Sequence, residues 1–391
     1  MAPMKILLLN HNVVERSTFY RAFYLGRELS DLGHQVTLAT ISRRNVLRPV
    51  VESREGVRII QTPDLGISRA RTGWDPWDMA WRMARFLGER FDLVHGFDCR
   101  PVVLGPSLAL KAVAHTPWIT DWADWWGRGG AISERKSWIG RVAFAPLETF
   151  LEERFRHLAD QVTVISRALE ARALGMGVAR KRVHHIPNGA NVRTIPVLDA
   201  RDCRRDFSLP LDAPIACFVG FVQYDLALAV RAFAVARRSV PDARLLLVGP
   251  RNREAERWVS ELGLSNAVHA TGTLPFARVP VAMGAADVLL LPYSNTLTNR
   301  GRHPTKLGDY LAAGRAVLAN PVGDLVDVFQ ADEVGVLAPD DVEGYGHALA
   351  ELLRDRERTT RMGRTARKAA EEKYAWRHLG ARLLEVYARA R

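Results

Sequence analysis

Cysteine is scarce in this chain of 391 residues, and long apolar runs are missing from it. The three cysteines, Cys99, Cys203 and Cys217, lie far apart, which excludes a disulfide framework and the close spacing of a structural metal site. No uncharged apolar run reaches the ~18 residues that a membrane-spanning helix needs. The opening MAPMKILLLNHN is not typical of a signal peptide, because its apolar run ILLL is too short. These absences predict a cytoplasmic protein.

Acidic residues are outnumbered, since 55 Lys and Arg against 43 Asp and Glu give a formal net charge of +12. This charge suits an anionic partner such as a nucleotide phosphate or an acidic membrane surface, but a basic, solvated surface explains it equally well. No basic and aromatic recognition motif is present, so nucleic acid is not an expected partner. Apolar residues make up 48% of the chain, which at this length is enough for two folded domains.

Short apolar runs alternate with segments of helical periodicity along the whole chain, which predicts parallel sheets covered by helices. The predicted strands of the first half are 4–10, 34–40, 56–62, 91–97, 116–122, 161–167 and 182–188. The predicted strands of the second half are 215–221, 243–250, 267–273, 286–293, 316–322 and 333–339. A polar, proline-containing stretch, 188–214, separates the halves and indicates an interdomain connection. Two doubly wound domains of this kind predict a ligand site in the cleft between them.

Basic side chains crowd the start of one predicted helix, 304–313, in NRGRHPTKLGDYLAAGRAVLANPVGD (299–324). They are Arg300, Arg302, His303 and Lys306. A helix N-terminus is already partly positive, so cations there are mildly unfavourable unless an anion joins them. Pro304 fits the first helical position, and the free N–H groups of the first turn favour an anion such as a diphosphate. The alternative is a solvated loop in which Lys306 pairs with Asp309 or Asp324.

The segment HPTKLGDYLAAGRAVLANPVGD resembles the donor-site segment of retaining glycosyltransferases of family 4, which have the GT-B fold. Further segments also resemble this family. VHHIPNGANV is similar to the Ile-Pro-Asn-Gly-Val-Asp that closes the N-terminal domain, and VHATGTLPFARVPVAMGAADVLLLPYSN to the segment that lines the nucleotide base. KYAWRHLGARLLEVY resembles the closing helix, which returns to the first domain. The resemblance spans nearly the whole chain.

The resemblance implies two Rossmann-like domains: an acceptor domain over 1–190, joined by a closing helix at 374–391, and a donor domain over 191–373. It implies an enzyme that moves a sugar from a nucleotide-diphosphate sugar to a glycan, a lipid-linked saccharide or a glycolipid precursor. Retention of configuration is expected, with no metal and no cofactor besides the donor. Peripheral contact with the inner face of a membrane is expected through SERKSWIGRVAF (133–144), whose basic and apolar residues also suit a helix packed on the sheet.

The resemblance also implies roles for single residues of the donor domain. Lys306 and Arg302 are placed on the diphosphate, and Asp309 on the ribose. The other residues assigned to donor binding are Arg300, Pro304, Gly220, Gly272 and Thr273, the last two near the base. Two departures from the family stand out. Gly301 replaces the first of two glutamates, and GFVQYDLAL (220–228) lacks the Arg and Lys that usually hold the diphosphate.

In the first half, WITDWADWWGRGG (118–130) has Asp121 and Asp124 where many family members have a histidine. Carboxylates beside tryptophans suit sugar recognition and the stabilisation of an oxocarbenium-like transition state, so both are candidate catalytic residues. The alternative is a structural loop with packed tryptophans. In the opening loop, His11 is either an acceptor contact or a satisfied histidine at a strand end, and Arg16 is a candidate for an acceptor phosphate.

Two other classes of protein fit parts of the sequence. A catalytically inactive nucleotide- or glycan-binding module would keep the fold and explain the missing glutamate. A nicotinamide-dependent oxidoreductase would explain the doubly wound halves, but no Gly-x-Gly-x-x-Gly follows KILLLN or IACFVG.

Overall fold

A computed structural model of the chain describes residues 2–44, 47–134, 138–220 and 223–391, which divide into two compact units. The first unit comprises Met1–Asn188, Gly301–His303 and Trp376–Arg391. The second comprises Gly189–Arg300 and Pro304–Ala375.

The described residues of the first unit form one eight-stranded sheet in the order β3-β4-β2-β1-β5-β6-β7-β8. Its strands are β1 (Lys5–Val13), β2 (Gln35–Ile41), β3 (Val50–Arg54), β4 (Val57–Thr62), β5 (Leu93–Phe97), β6 (Trp118–Trp122), β7 (Gln161–Val164) and β8 (Val183–His185). Its helices up to this point are α1 (Thr18–Asp31), α2 (Ile67–Ala70), α3 (Pro76–Leu87), α4 (Pro101–Val113), α5 (Trp138–Arg154) and α6 (Arg167–Gly175). All pairings are parallel except that of β3 with β4.

The second unit contains a six-stranded parallel sheet in the order β11-β10-β9-β12-β13-β14, the doubly wound order of a Rossmann fold. Its strands are β9 (Ile215–Val219), β10 (Arg244–Val248), β11 (Val268–Gly272), β12 (Val288–Leu291), β13 (Ala316–Ala319) and β14 (Gly335–Leu337). Its helices are α7 (Ala200–Asp206), α8 (Gln223–Ser239), α9 (Arg253–Glu261), α10 (Val279–Gly284), α11 (Leu297–Arg300), α12 (Thr305–Ala312), α13 (Leu325–Ala331), α14 (Val342–Arg354) and α15 (Arg356–Ala369).

The last helix, α16 (Trp376–Ala390), belongs to the core of the first unit. Trp376 is buried and its ring lies 5.4 Å from that of Tyr24 on α1. Tyr387 is also buried, and its hydroxyl lies 2.9 Å from His95 Nδ1 on β5. The predicted return of the closing helix to the first domain is therefore present in the structure.

The structure adds elements that the sequence did not predict, notably β3 at the sheet edge, α7 within the stretch read as a connection, and α13. It also moves Pro304 from the first helical position to the N-cap of α12, with an extended backbone at φ −66° and ψ 121°. Among the described residues, no helix is both long and apolar enough to cross a membrane.

Candidate functional site

Three glycines stand at the carboxyl ends of neighbouring strands in the second unit. Gly220 follows β9, Gly249 follows β10 and Gly272 ends β11, with φ angles of 152°, 157° and 71°. A Cβ on Gly249 would lie 2.1 Å from the carbonyl oxygen of Gly220, so no side chain fits there. These positions favour glycine and leave bare backbone at the edge where ligands bind in such sheets.

A cavity of about 390 Å³ lies beside these glycines. Its polar side chains are Arg251, Asn252, Glu256 and Thr271, and its apolar lining includes Phe218, Leu247 and Val259. The volume falls within the range of small-molecule sites. Two of the residues predicted to bind the donor, Gly220 and Gly272, therefore line one cavity, and the predicted Thr273 follows directly in the chain.

Lys306, in the first turn of α12, reaches the same strand end. Its Nζ lies 3.0 Å from the point where a Cβ of Gly220 would stand, and 5.2 Å from the centre of the Phe218 ring. Burial lowers the pKa of Lys306, while the nearby carboxylate of Asp225 acts to raise it. The structure thus brings the predicted Lys306 and Gly220 together and places a poorly hydrated cation beside open backbone.

Asp309 lies in α12, about one turn after Lys306. Its Oδ1 accepts a hydrogen bond of 2.9 Å from Asn191 Nδ2. Burial raises the pKa of Asp309 from 3.8 to about 6, although the bond from Asn191 opposes the shift. Among the described residues, no ion pair joins this carboxylate to a cation, so the alternative pairing of Lys306 with Asp309 is not present.

The two arginines predicted to join Lys306 have other contacts. Arg302 Nε donates to Asp124 Oδ1 at 2.6 Å, and both residues belong to the first unit. Arg300, in the second unit, is exposed and its Nε donates to Asn295 Oδ1 at 2.7 Å. Asp124, predicted to contact the sugar, therefore forms an ion pair with Arg302, predicted to bind the diphosphate.

Asp121 differs most from its predicted catalytic role. The side chain is fully buried, and Arg21 Nε and Nη2 donate to its two oxygens at 2.9 and 2.8 Å. Thr163 Oγ1 also donates to it, at 2.6 Å. Burial acts to raise the pKa of Asp121, but the Arg21 guanidinium outweighs it and the pKa is lowered. This carboxylate orients Arg21 and has no surface left for a sugar.

The tryptophans next to Asp121 support the alternative of a structural loop. Arg156 lies 4.0 Å from the centre of the Trp122 ring, Arg172 lies 4.3 Å from Trp125, and Arg100 lies 4.4 Å from Trp126. Such cation–π contacts hold each indole against a guanidinium group. Trp122 is fully buried, and Trp125 and Trp126 are half-buried.

Sequence reasoning missed two acidic residues of this region. Asp98 directly follows β5 with φ 72°, and its Oδ2 accepts a 2.8 Å bond from Trp126 Nε1. Burial raises the pKa of Asp98 to about 8, which Arg156 opposes and Asp124 reinforces. Glu152 on α5 accepts from Trp122 Nε1 and from two backbone N–H groups of the loop. The position of Asp98 after a buried strand could have been noticed, whereas nothing local marks Glu152.

In the opening loop, two residues other than glycine have the positive φ angles that glycine usually adopts. Glu15 and Ser17 have φ angles of 60° and 46°. His11 is buried, and its Nδ1 lies 3.2 Å from the carbonyl oxygen of Phe97. Burial, with a contribution from Arg100, lowers the pKa of His11 to about 3, so the ring is neutral. His11 is therefore the satisfied strand-end histidine of the two alternatives.

Parts of two predicted segments lie outside the described residues. They are Arg135, Lys136 and Ser137 of the predicted membrane edge, and Phe221 and Val222 of GFVQYDLAL.

Comparisons with known proteins cover both units. The glycosyl transferase 4-like domain matches residues 20–189, and glycosyl transferases group 1 matches residues 199–369. The GDP-mannose-dependent alpha-(1-6)-phosphatidylinositol monomannoside mannosyltransferase of Mycolicibacterium smegmatis is 30% identical over 345 residues, covering 85% of each chain. The MMP alpha-(1->4)-mannosyltransferase of Mycolicibacterium hassiacum is 24% identical over 418 residues, covering 94% of this chain and 93% of that one.

Among solved structures, the sucrose-phosphate synthase of Thermosynechococcus elongatus has a TM-score of 0.75 at 20% identity, with 98% of each chain covered. This likeness, with the two Rossmann-like units, shows that the fold is GT-B.

Proposed function

Since this chain belongs to the glycosyltransferase family that has a glycosyl transferase 4-like and a group 1 domain, we propose that it transfers a sugar from a nucleoside-diphosphate sugar with retention at the anomeric carbon. The proposed acceptor is a glycan, a lipid-linked saccharide or a glycolipid precursor. The proposed reaction needs no metal ion. GDP-mannose is the first donor to test, because the relative from Mycolicibacterium smegmatis is named as dependent on it.

The observation that carries this proposal is the position of Lys306 beside Gly220 at the carboxyl end of β9. Negative charge develops on the diphosphate as the sugar leaves it, and a fixed cation in a poorly hydrated place stabilises that charge strongly. The nearby amine supplies the charge compensation that a divalent ion supplies in other transferases. In this proposal Lys306 binds the diphosphate, and the bare backbone of Gly220 lets it approach.

The remaining parts of the donor have proposed places around the same strand ends. The base occupies the cavity beside Gly272 and Thr273, where the Glu256 carboxylate would accept hydrogen bonds from the N–H groups of a guanine. Asp309 accepts from the ribose hydroxyls. With its pKa raised to about 6, this carboxylate is mostly ionised at neutral pH and remains an acceptor.

We also propose that the first unit meets an anionic membrane surface through α5. Four large apolar side chains of this helix are exposed, namely Val142, Phe144, Leu147 and Phe150. Exposed apolar clusters on a helix mark contact with a partner or with lipid. The net charge of +12 favours an anionic surface.

The donor proposal is tested by thermal unfolding of the wild type, Lys306→Ala and Lys368→Ala with GDP, UDP, ADP and their sugars. Lys368 is an exposed lysine of the same unit and serves as the matched control. A nucleotide at ~100 times its Kd should stabilise the wild type and the control by ~2.7 kcal/mol. Lys306→Ala should lose most of this stabilisation, because the diphosphate then has no amine beside it.

Product analysis completes the test. We expect the stabilising sugar nucleotide to be consumed, with product of unchanged anomeric configuration by NMR and an unchanged rate in EDTA. Equal stabilisation of the wild type and Lys306→Ala would remove Lys306 from the donor site. Binding without any product from a panel of acceptors would favour the inactive module instead.

A further inference from the structure

A second cavity, of about 250 Å³, lies in the first unit and shares no lining residue with the cavity beside Gly220. Its wall is formed by the start of α6, by β8 and by the end of α16. It is lined by four arginines, which are Arg167, Arg180, Arg382 and Arg389. The carboxylates in its lining are Glu170 and Glu385, so the cations outnumber the anions. We call this cavity, with its four arginines, the arginine cavity.

Among the described residues, the hydrogen bonds of the arginine cavity give two of its arginines one shared carboxylate and a third a neutral acceptor. Glu170 is shared, since Arg167 Nη1 donates to it at 2.8 Å and Arg180 Nη1 at 2.7 Å. Arg382 Nη2 donates at 2.7 Å to the carbonyl oxygen of His185, which carries no charge. One carboxylate therefore serves two guanidiniums, and a third guanidinium is satisfied by a neutral acceptor.

Neighbouring groups respond to this excess of positive charge. The pKa of His184 is lowered by burial and then by Arg389 and Arg180, against an opposing effect of Glu170. The pKa of Arg382 is lowered by burial and then by Arg167, while Glu385 acts to raise it. Like charges thus act on each other across this space, and a bound anion would relieve their repulsion.

We propose that the arginine cavity binds a phosphate group. Guanidinium forks match phosphate oxygens in pairs, and arginines at several angles can hold a tetrahedral anion from different sides. The volume accommodates a phosphate with a small polar substituent. The phosphate is carried either by a soluble phosphate ester or by a phospholipid headgroup, and the chemistry at the arginines is the same for both. This site goes beyond the proposed donor and acceptor chemistry and does not depend on it.

The test uses titration calorimetry with pyrophosphate on Lys306→Ala protein, in which the proposed donor amine is absent. Adding Arg382→Ala and Arg389→Ala should weaken the binding by at least about tenfold, since each removed guanidinium takes charged hydrogen bonds with it. Adding Arg377→Ala instead, an exposed arginine of the same helix outside the cavity lining, should leave the affinity unchanged. Equal weakening by Arg377→Ala would show general charge attraction and overturn the proposal.

The single variant Arg389→Glu guards against misfolding of the double variant, because Arg382 also holds the backbone of β8. It should weaken binding at least as much as the double variant does. The source of the phosphate follows from flotation with phosphatidylcholine vesicles with and without phosphatidylglycerol. Loss of flotation in Arg389→Glu assigns the site to lipid headgroups, and a defect confined to pyrophosphate assigns it to soluble esters. Unchanged binding of both probes in Arg389→Glu overturns the proposal.

Discussion

Asp309 shows how burial changes a single carboxyl group. Its pKa in the folded chain is about 6, above the ordinary 3.8, so the folded state holds this proton more tightly. The stability that results is complete below pH 3.8 and is lost as the pH rises through 6. Asp309→Asn keeps an acceptor for Asn191 but does not ionise. It should therefore be more stable than the wild type by about 3 kcal/mol above pH 7 and by little below pH 4.

The measurement is the urea midpoint of the second unit at pH 4 and pH 7.5 in both proteins. Asp242→Asn, at an exposed carboxylate of the same unit, is the control and should follow the wild type at both values. A constant difference between Asp309→Asn and the wild type at the two pH values would contradict the raised pKa.

For single residues, the sequence predicted the place in the fold better than it predicted the contacts of the side chain. Gly220, Gly272 and Lys306 lie at strand ends or in a first helical turn, as their local patterns indicated. Asp121 looked equally suited to a ligand, but its partner Arg21 is 100 residues away in the chain. No local pattern reports that this guanidinium closes over the carboxylate, so the burial of Asp121 could not be predicted.

Helix α5 holds the tryptophan-containing loop after β6 through one buried carboxylate, that of Glu152. Glu152 accepts from Trp122 Nε1 at 2.9 Å, from the N–H groups of Trp126 and Gly127 at 2.9 and 2.8 Å, and pairs with Arg172. Glu152→Ala leaves these buried donors without an acceptor. It should lower the free energy of unfolding by about 3–5 kcal/mol.

The neighbouring Glu153 provides the control, because it is partly exposed and its ion pairs with Arg128 and Arg172 are near solvent. Glu153→Ala should cost about 0–1 kcal/mol. Tryptophan fluorescence during denaturation reports on both variants, since the indoles lie in the affected loop. Similar losses in the two variants would mean that the loop does not depend on Glu152.

Strands and helices with a strong apolar pattern were predicted from the sequence. Elements whose structure depends on their packing in the fold were missed. The buried strands read as continuous apolar runs and were placed within a few residues. Strand β3 is largely exposed and pairs antiparallel with β4 at the sheet edge, so it lacks the apolar run of a buried strand. Helix α7 buries only Cys203 and Arg204, and its polar sequence was read as a connection.

Two features of the whole molecule support the proposed membrane contact. They are the net charge of +12 and the exposed apolar side chains of α5. Leu147→Ser with Phe150→Ser should greatly reduce flotation of the protein with phosphatidylglycerol vesicles, because the apolar anchor is lost. Raising the salt concentration should weaken flotation of the wild type.

The matched control replaces two exposed apolar residues of the second unit, in Leu262→Ser with Phe276→Ser. These changes should leave flotation unaltered. If both pairs of substitutions reduce flotation alike, α5 is not the membrane-facing element.

The position of α16 affects how the chain folds while the ribosome synthesises it. The first unit has all eight strands of its sheet once residue 185 has emerged, yet it takes its last helix from Trp376–Arg391. At ~5–20 residues per second, roughly 10–40 seconds of translation separate the two. During that interval the face of α1 that later receives Trp376 stays uncovered, while the second unit becomes complete. The first unit is therefore translated first and completed last, and its apolar α1 face is open to non-native contacts during that interval.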